Sequence, residues 1–232
     1  MRIIRFLFLT ISIAMLYANT YAQKNQWTVN PGESIREALG DSVLYKYPQF
    51  VRGAVYYKDG TVSYGSLNYN LLIGEMQFIA PSKDTLAIAN ENTISYITIQ
   101  ADTFYFDKVY IELIRGNDEA KLGKLEIIKL NDITKEGAYG QMSSTSAIST
   151  TNSFAINDQS YKLTEKKAIT LHKETIFFIG DSLNNFLSAD KKNIYKMFSK
   201  KKSAIESYIK ENKPEFTKET NLVRLIDFLG KI

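Results

Sequence analysis

Side chains that could carry out chemistry are scarce in this sequence, apart from the carboxylates. The chain of 232 residues has no Cys and a single His, His172. Thiolate nucleophiles, zinc ligands and imidazole bases are therefore almost absent. The 25 Asp and Glu residues remain, and two carboxylates facing each other across a cleft can hydrolyse a glycosidic bond without a metal. Nothing in the sequence pairs them, so we predict no catalytic residue, no metal ligand and no cofactor.

The most suggestive catalytic motif follows the apolar run 175–179. Gly180, Asp181, Ser182 and Leu183 resemble the nucleophile block of the GDSL esterases. In that family the block lies near the start of the chain and an Asp-x-x-His lies near its end, whereas no His follows Leu183 here. Ser182 therefore lacks a conventional base. We predict instead that these residues form a turn at the end of a strand.

The first 22 residues have the three parts of a secretory signal peptide. Basic Arg2 and Arg5 precede the apolar run Phe6–Leu16, and small and polar residues lead to Ala22. The apolar run is shorter than the roughly 20 residues that span a bilayer, so an uncleaved anchor is the weaker alternative. We expect cleavage after Ala22 and export to the periplasm, the outer membrane or the exterior. Without Cys, the protein is not expected to be a lipoprotein.

The net charge argues against nucleic acid as a partner. The whole chain carries +4, and loss of Arg2 and Arg5 with the leader would lower this to about +2. A local cluster of lysines, which we name the lysine patch, could attract anionic lipid headgroups or an acidic partner. The alternative is that these lysines form a solvated helix face. This lysine patch consists of Lys191, Lys192, Lys196, Lys200, Lys201 and Lys202.

Short apolar and aromatic runs between residues 51 and 130 are typical of an antiparallel sheet. The runs 53–58 and 61–64 flank Asp59 and Gly60, which predicts a hairpin with a type I′ turn. Further strands are predicted at 66–73, 75–79, 85–89, 93–100, 103–107, 109–114, 124–130, 161–163 and 174–179.

Helical patterns lie on both sides of this sheet. Ser34 and Glu37 fit a capping box, and Gly40 would end that short helix. After Ser188 the period changes to about 3.6 residues, with apolar stripes at Ala204, Ile205, Tyr208 and Ile209 and at Leu222, Leu225, Ile226 and Leu229. We predict an α+β fold, in which two to three C-terminal amphipathic helices pack on a mainly antiparallel sheet, built as a meander, a roll or a sandwich.

The expected organisation has a β domain over 23–187 and a helical segment over 188–232. Within the β domain lies the Ser- and Thr-rich segment 141–153, which has few large apolar groups. Because such a segment cannot offset its ordering entropy by burial, we predict a mobile surface loop there.

Tyrosines are frequent in the predicted sheet. A row formed by Tyr56, Tyr64, Tyr69 and Tyr96 on an exposed face could stack on sugar rings or grip a peptide. The alternative is plain core packing and cross-strand pairing, because alternation sends roughly half of the rings inward.

Three stretches resemble an uncharacterised family of exported proteins from the Bacteroidota. They are Leu67–Phe78, Gly137–Gly140, and Ile209–Lys213 leading into Leu222–Leu229. The resemblance covers most of the mature chain and implies a periplasmic or outer-membrane-facing setting. No activity is assigned to that family, so no catalytic residue is carried over.

Three triplets of Asp, then Ser or Thr, then an aliphatic residue occur at 41–43, 84–86 and 181–183. They resemble the O-glycosylation site of exported proteins in these bacteria, which makes Ser42, Thr85 and Ser182 predicted acceptors. Ordinary turn chemistry is the alternative.

These patterns leave three classes of function open. The first is an exported, non-enzymatic envelope module that binds an envelope protein, a peptide or a glycan. The second is a carboxylate-only hydrolase that acts on envelope or extracellular glycans. The third is an outer-membrane β-barrel, suggested by the many short alternating strands, although a chain that ends in amphipathic helices argues against it.

Overall fold

The computed structural model describes residues 25–136, 142–146 and 167–232. Their architecture is α+β, and the predicted antiparallel sheet with packed C-terminal helices is confirmed. The predicted leader 1–22 and the predicted strand 161–163 lie outside the described residues.

The described strands form one sheet in which every pair is antiparallel. They are β1 (Gln26–Val29), β2 (Val51–Tyr57), β3 (Val62–Asn70), β4 (Glu75–Ile79), β5 (Thr85–Ala87), β6 (Ile94–Ile99), β7 (Asp102–Asp107), β8 (Val109–Gly116), β9 (Ala120–Glu136), β10 (Met142–Ser146), β11 (Lys167–Asp181) and β12 (Phe186–Ser188). Their spatial order is β1-β11-β9-β8-β7-β6-β2-β3-β4-β5, with β10 paired to β9 and β12 paired to β11.

Two short helices lie between β1 and β2, and three longer ones follow the last strand. They are α1 (Ile35–Leu39), α2 (Asp41–Leu44), α3 (Lys191–Met197), α4 (Lys202–Asn212) and α5 (Glu219–Leu229), with 3-10 turns at Glu91–Thr93 and Ser199–Lys201. The predicted capping box is confirmed, because the Ser34 hydroxyl accepts from the Glu37 amide and the Glu37 carboxylate accepts from the Ser34 amide. Among the described residues, no helix combines the length and the apolarity needed to cross a lipid bilayer.

The predicted hairpin forms between β2 and β3, but its turn differs from the prediction. A type I′ turn needs positive φ at both central residues, and here Gly60 has a φ of 88° while Asp59 is not in that region. The Gly60 amide donates to the Tyr57 carbonyl at 3.1 Å, and the Tyr57 amide donates to the Thr61 carbonyl at 2.9 Å. The loop therefore has three residues and ends in a glycine bulge. The Asp59 carboxylate accepts from the Thr61 amide, which favours this loop over the predicted two-residue turn.

The prediction of a mobile loop over 141–153 is wrong for Met142–Ser146, which form strand β10. This strand pairs with the far end of β9, from Met142 opposite Glu136 to Ser146 opposite Asp132. Low apolar content argued for a loop, but main-chain hydrogen bonds to a long neighbouring strand need no apolar side chain. The rest of that segment lies outside the described residues.

Apolar side chains form two separate cores. The main core fills the inside of a curled sheet, where the Ile128 amide of β9 donates to the Leu71 carbonyl after β3 at 2.7 Å. The helical core lies between the sheet and helices α3 to α5. Its largest fully buried members are Leu122, Ile179, Ile194, Ile205, Leu222, Leu225 and Ile226. The predicted helical stripes are thus confirmed, except that Ala204 is exposed.

Candidate functional site

The outer face of the sheet carries a row of tyrosine rings. Successive side chains of a strand point to opposite faces, so the residues that alternate with the main core point outward. Across β3, β2, β6 and β7 these include Tyr64, Tyr56, Tyr96 and Tyr105, which we name the outer aromatic row. Tyr56 lies directly opposite Tyr96 in the register of β2 and β6.

Three rings of this row, those of Tyr56, Tyr96 and Tyr105, contact one another across the strands. Those of Tyr56 and Tyr96 are stacked, with centroids 4.4 Å apart and an interplanar angle of 18°. The Tyr96 and Tyr105 centroids are 6.4 Å apart, and Phe186 extends the row with its centroid 5.8 Å from that of Tyr105. Burial, and then the neighbouring Tyr96, raise the pKa of Tyr105, so its hydroxyl remains a hydrogen-bond donor at neutral pH.

No described helix packs on the outer aromatic row. The described helices pack mainly against β1, β8, β9 and β11, whereas the tyrosines lie on β2, β3, β6 and β7. Tyr64 is 67% exposed, and the guanidinium of Arg52 lies 5.7 Å from its ring centre. Tyr56, Tyr96 and Tyr105 are half-buried. A ligand could therefore reach the edges of these rings and one face of Tyr64.

Tyr69 does not belong to this face, which corrects the predicted set. It lies on β3 at an odd position, whereas the outward side chains Val62 and Tyr64 are at even positions. Tyr69 is 2% exposed, and its ring centre lies 6.1 Å from those of Phe104 and Tyr110 in the main core. Strand alternation could have separated Tyr69 from the others, once the hairpin register was known.

The inner face of the sheet holds a set of charged side chains that the sequence did not predict. Three lysines and three carboxylates alternate across it, and we name this set the charge ladder. Lys46 Nζ lies 2.6 Å from Glu112 Oε2 and 3.7 Å from Asp102 Oδ2, while Lys124 lies 3.6 Å from Glu112 Oε1. The ladder consists of Asp102, Lys46, Glu112, Lys124, Glu126 and Lys173.

The charge ladder runs between the two cores. Along the inner face of β9, Leu122 belongs to the helical core and Ile128 to the main core, while Lys124 and Glu126 lie between them. On β8, Glu112 likewise separates Ile114 of the helical core from Tyr110 of the main core. Paired charges therefore separate the two apolar cores on this face of the sheet.

The carboxylates of the ladder are all paired with lysines. Burial alone would raise the pKa of Glu126, but the hydrogen bond and charge of Lys173, with Lys124 and Lys46, hold it below its ordinary value. At neutral pH the Glu126 carboxylate is therefore ionised and paired with these lysines. It is therefore poorly placed to donate a proton to a leaving group.

Glu75 and Glu91 form a carboxylate pair that differs from the carboxylates of the charge ladder. Burial, and then the charge of Glu91, raise the pKa of Glu75. No ion pair joins a cation to either of them within the described residues. Both are half-buried, at the start of β4 and in the 3-10 turn before β6.

The Gly180–Leu183 motif has the structure of a turn, as predicted. Burial alone would raise the pKa of Asp181, but hydrogen bonds from Asn185 and from the Leu183 amide, with the charge of Lys121, lower it. Ser182 is exposed just after β11. His172 lies on the same strand ten positions earlier, so roughly 30 Å separates the two. The two residues cannot act as a nucleophile and its base.

The three predicted glycosylation acceptors are all exposed. Ser42 lies in α2, Thr85 opens the edge strand β5, and Ser182 lies in the turn after β11. Exposure is compatible with modification and with turn chemistry alike, so modification at these positions stays a prediction.

Two features of the site were missed at the level of sequence. Tyr105 was one of many strand aromatics, and only its contact with Tyr96 places it in the row. Lys124 and Glu126 sit at alternate positions of a strand rich in apolar residues, and such alternation alone is typical of a solvent-facing side.

No family model matches the chain, and neither a curated protein nor a solved structure is similar to it. Its function is therefore inferred from its residues and their geometry alone.

Proposed function

We propose that the protein is an exported, non-enzymatic envelope module that binds a glycan chain on its outer aromatic row. The observation that carries the proposal is the row itself: the rings of Tyr56, Tyr96, Tyr105 and Phe186 form a chain of contacts, and no described helix packs on them. The exposed ring of Tyr64 lies on the same face. Export is supported by the leader pattern of residues 1–22.

The chemistry of this face suits a sugar better than an apolar protein surface. Aromatic rings offer apolar contact to the C–H faces of sugars, and the tyrosine hydroxyls offer hydrogen bonds at the ring edges. Thr98 and Thr103, which are directly opposite each other on β6 and β7, add two more hydroxyls on the same face. The guanidinium of Arg52 lies beside Tyr64 and could pair with an acidic sugar.

The proposal is tested with the mature chain, residues 23–232, on a microarray of polysaccharides and oligosaccharides. We expect binding to a glycan class, and at least tenfold weaker binding for Tyr96→Ala, because that change removes the central ring of the row. Tyr208→Ala is the matched control. It also removes one ring of a stacked pair, with Phe228 at 4.5 Å and 23°, but in the helical layer. Equal losses for the two variants, or no glycan binding at all, would overturn the proposal.

One observation favours a second candidate, a carboxylate-only hydrolase that acts on envelope or extracellular glycans. The raised pKa of Glu75 beside Glu91 is the property that a general acid of glycoside hydrolysis requires. The test is release of reducing ends from polysaccharides between pH 4 and 8. Activity of the wild type that Glu75→Gln abolishes would support this candidate, and absence of release would remove it.

A further inference from the structure

The helical layer presents a strongly basic surface at its start. Lys201 is the exception within the lysine patch, because it is half-buried and donates to Glu119 and to the Ile232 carbonyl, each at 2.8 Å. Lys202 has one acid, Glu206, at 3.8 Å. The other four members have no acidic partner within the described residues and are all exposed: Lys191, Lys192, Lys196 and Lys200.

Helix geometry turns Lys192 and Lys196 to the same side of α3, and Tyr195 brings Lys191 and Lys202 together. Ile194 is fully buried in the helical core, and Lys192 and Lys196 each lie about 200° around α3 from it, so both face away from the sheet. The ammonium groups of Lys191 and Lys202 each lie 5.6 Å from the ring centre of Tyr195. The start of α3 and the start of α4 therefore meet at Tyr195, although they are eleven positions apart in sequence.

The positive charges of the lysine patch extend over two helices, and an extended anionic partner would complement them best. A single ion could neutralise only one or two of these ammonium groups, whereas the headgroups of a bilayer would meet all of them at once. Tyr195, between Lys191 and Lys202, has the apolar ring and polar hydroxyl that suit the boundary between headgroups and acyl chains. We propose that the lysine patch docks the protein on the surface of an anionic phospholipid bilayer. This docking is independent of the outer aromatic row.

The experiment is co-sedimentation of the mature chain with vesicles at low salt. One set of vesicles contains phosphatidylglycerol and phosphatidylcholine, and the other contains phosphatidylcholine alone. The patch variant carries Lys191→Gln, Lys192→Gln and Lys196→Gln. The control variant carries Lys58→Gln, Lys83→Gln and Lys108→Gln, which removes the same charge from three exposed turns of the sheet.

We expect binding to the anionic vesicles only, and loss of it in 0.5 M salt. The patch variant should partition roughly a hundredfold more weakly, because each basic residue near an anionic leaflet contributes roughly fivefold. The control variant should stay within about threefold of the wild type, because its lysines lie outside the patch.

Three outcomes would overturn the proposal. One is equal weakening of the two variants, which would mean that net charge alone is responsible. Another is release from the vesicles by millimolar inorganic phosphate at constant ionic strength, which would identify a site for free phosphate. The third is tighter binding to poly-glutamate than to the anionic vesicles, which would identify an acidic protein as the partner.

Discussion

Replacing Lys46 with Met tests whether the charge ladder stabilises the fold through its burial. The side chain of Lys46 is 13% exposed and that of its partner Glu112 is 12% exposed, with 2.6 Å between Nζ and Oε2. Met retains most of the aliphatic stem but removes the ammonium group, which lies 5.6 Å from the ring centre of Tyr47 and 5.9 Å from that of Phe104. Removing one partner of a buried pair costs about 3–5 kcal/mol. Because Glu112 keeps Lys124 at 3.6 Å, we expect a loss at the lower end, about 3 kcal/mol.

The control is the same substitution on the opposite face of the sheet. Lys129 pairs with Glu174 at 2.8 Å and joins β9 to β11, but these side chains are 39% and 37% exposed. Solvent screens an exposed pair, so Lys129→Met should cost about 0.5 kcal/mol or less. The assay is urea unfolding of the mature chain, followed by the fluorescence of Trp27, the single Trp.

A difference between the two variants of less than about 1 kcal/mol would refute the reasoning, since burial is what separates them. A second comparison tests the cause. The double variant Lys46→Met with Glu112→Gln removes both charges, so it should be more stable than Lys46→Met alone. If the double variant is less stable, the lost stability comes from packing and not from an unpaired buried carboxylate.

Three further predictions concern the stability at low pH, the packing around a glycine and the packing of the helical core. The pKa of Glu126 is lowered in the folded chain, so its stabilising contribution is present above the unfolded pKa of roughly 4.3 and is lost as the pH falls through the folded value. Urea unfolding between pH 6 and 3 should therefore show a larger loss of stability for the wild type than for Glu126→Gln. Gly123→Ala should destabilise the fold by about 1–3 kcal/mol, because the added methyl group would meet Ile111 and the Glu112 carbonyl. Gly65→Ala is the control, and it should change the stability little because the nearest contact of its methyl group is 3.7 Å away. Thermal melts compare the two variants. Leu225→Ala should cost about 2–5 kcal/mol because Leu225 is fully buried, and Leu183→Ala, at a residue that is 79% exposed, should stay within about 0.5 kcal/mol in the same urea assay.

Local patterns made much of the fold predictable. The capping box of Ser34 and Glu37, the β2–β3 hairpin and the stripe of α5 each depend on residues that are neighbours in sequence. The short strand β1 was missed, because its four residues are fixed by pairing with β11, 140 to 146 positions away. Likewise β10 exists because the long strand β9 offers it main-chain hydrogen bonds, which its own composition does not reveal.

The candidate site was partly predictable for the same reason. Tyr56, Tyr64 and Tyr96 follow from alternation along the hairpin and the strand beside it, and they do share one face. The charge ladder depends on Lys46, which reaches Glu112 from a segment 66 positions away in sequence. No local pattern indicates such a contact, because it follows from the curl of the sheet.

The most direct test of the central claim is hydroxyl-radical footprinting of the mature chain with and without a polysaccharide extract of a bacterial envelope. Tyr64 is 67% exposed and should react readily in the free protein. If the outer aromatic row binds the glycan, Tyr64 and its half-buried neighbours Tyr56 and Tyr96 become protected, while Tyr208 in the helical layer reacts as before. Unchanged reactivity at Tyr64 in the presence of the extract, or protection confined to the helical layer, would contradict the account.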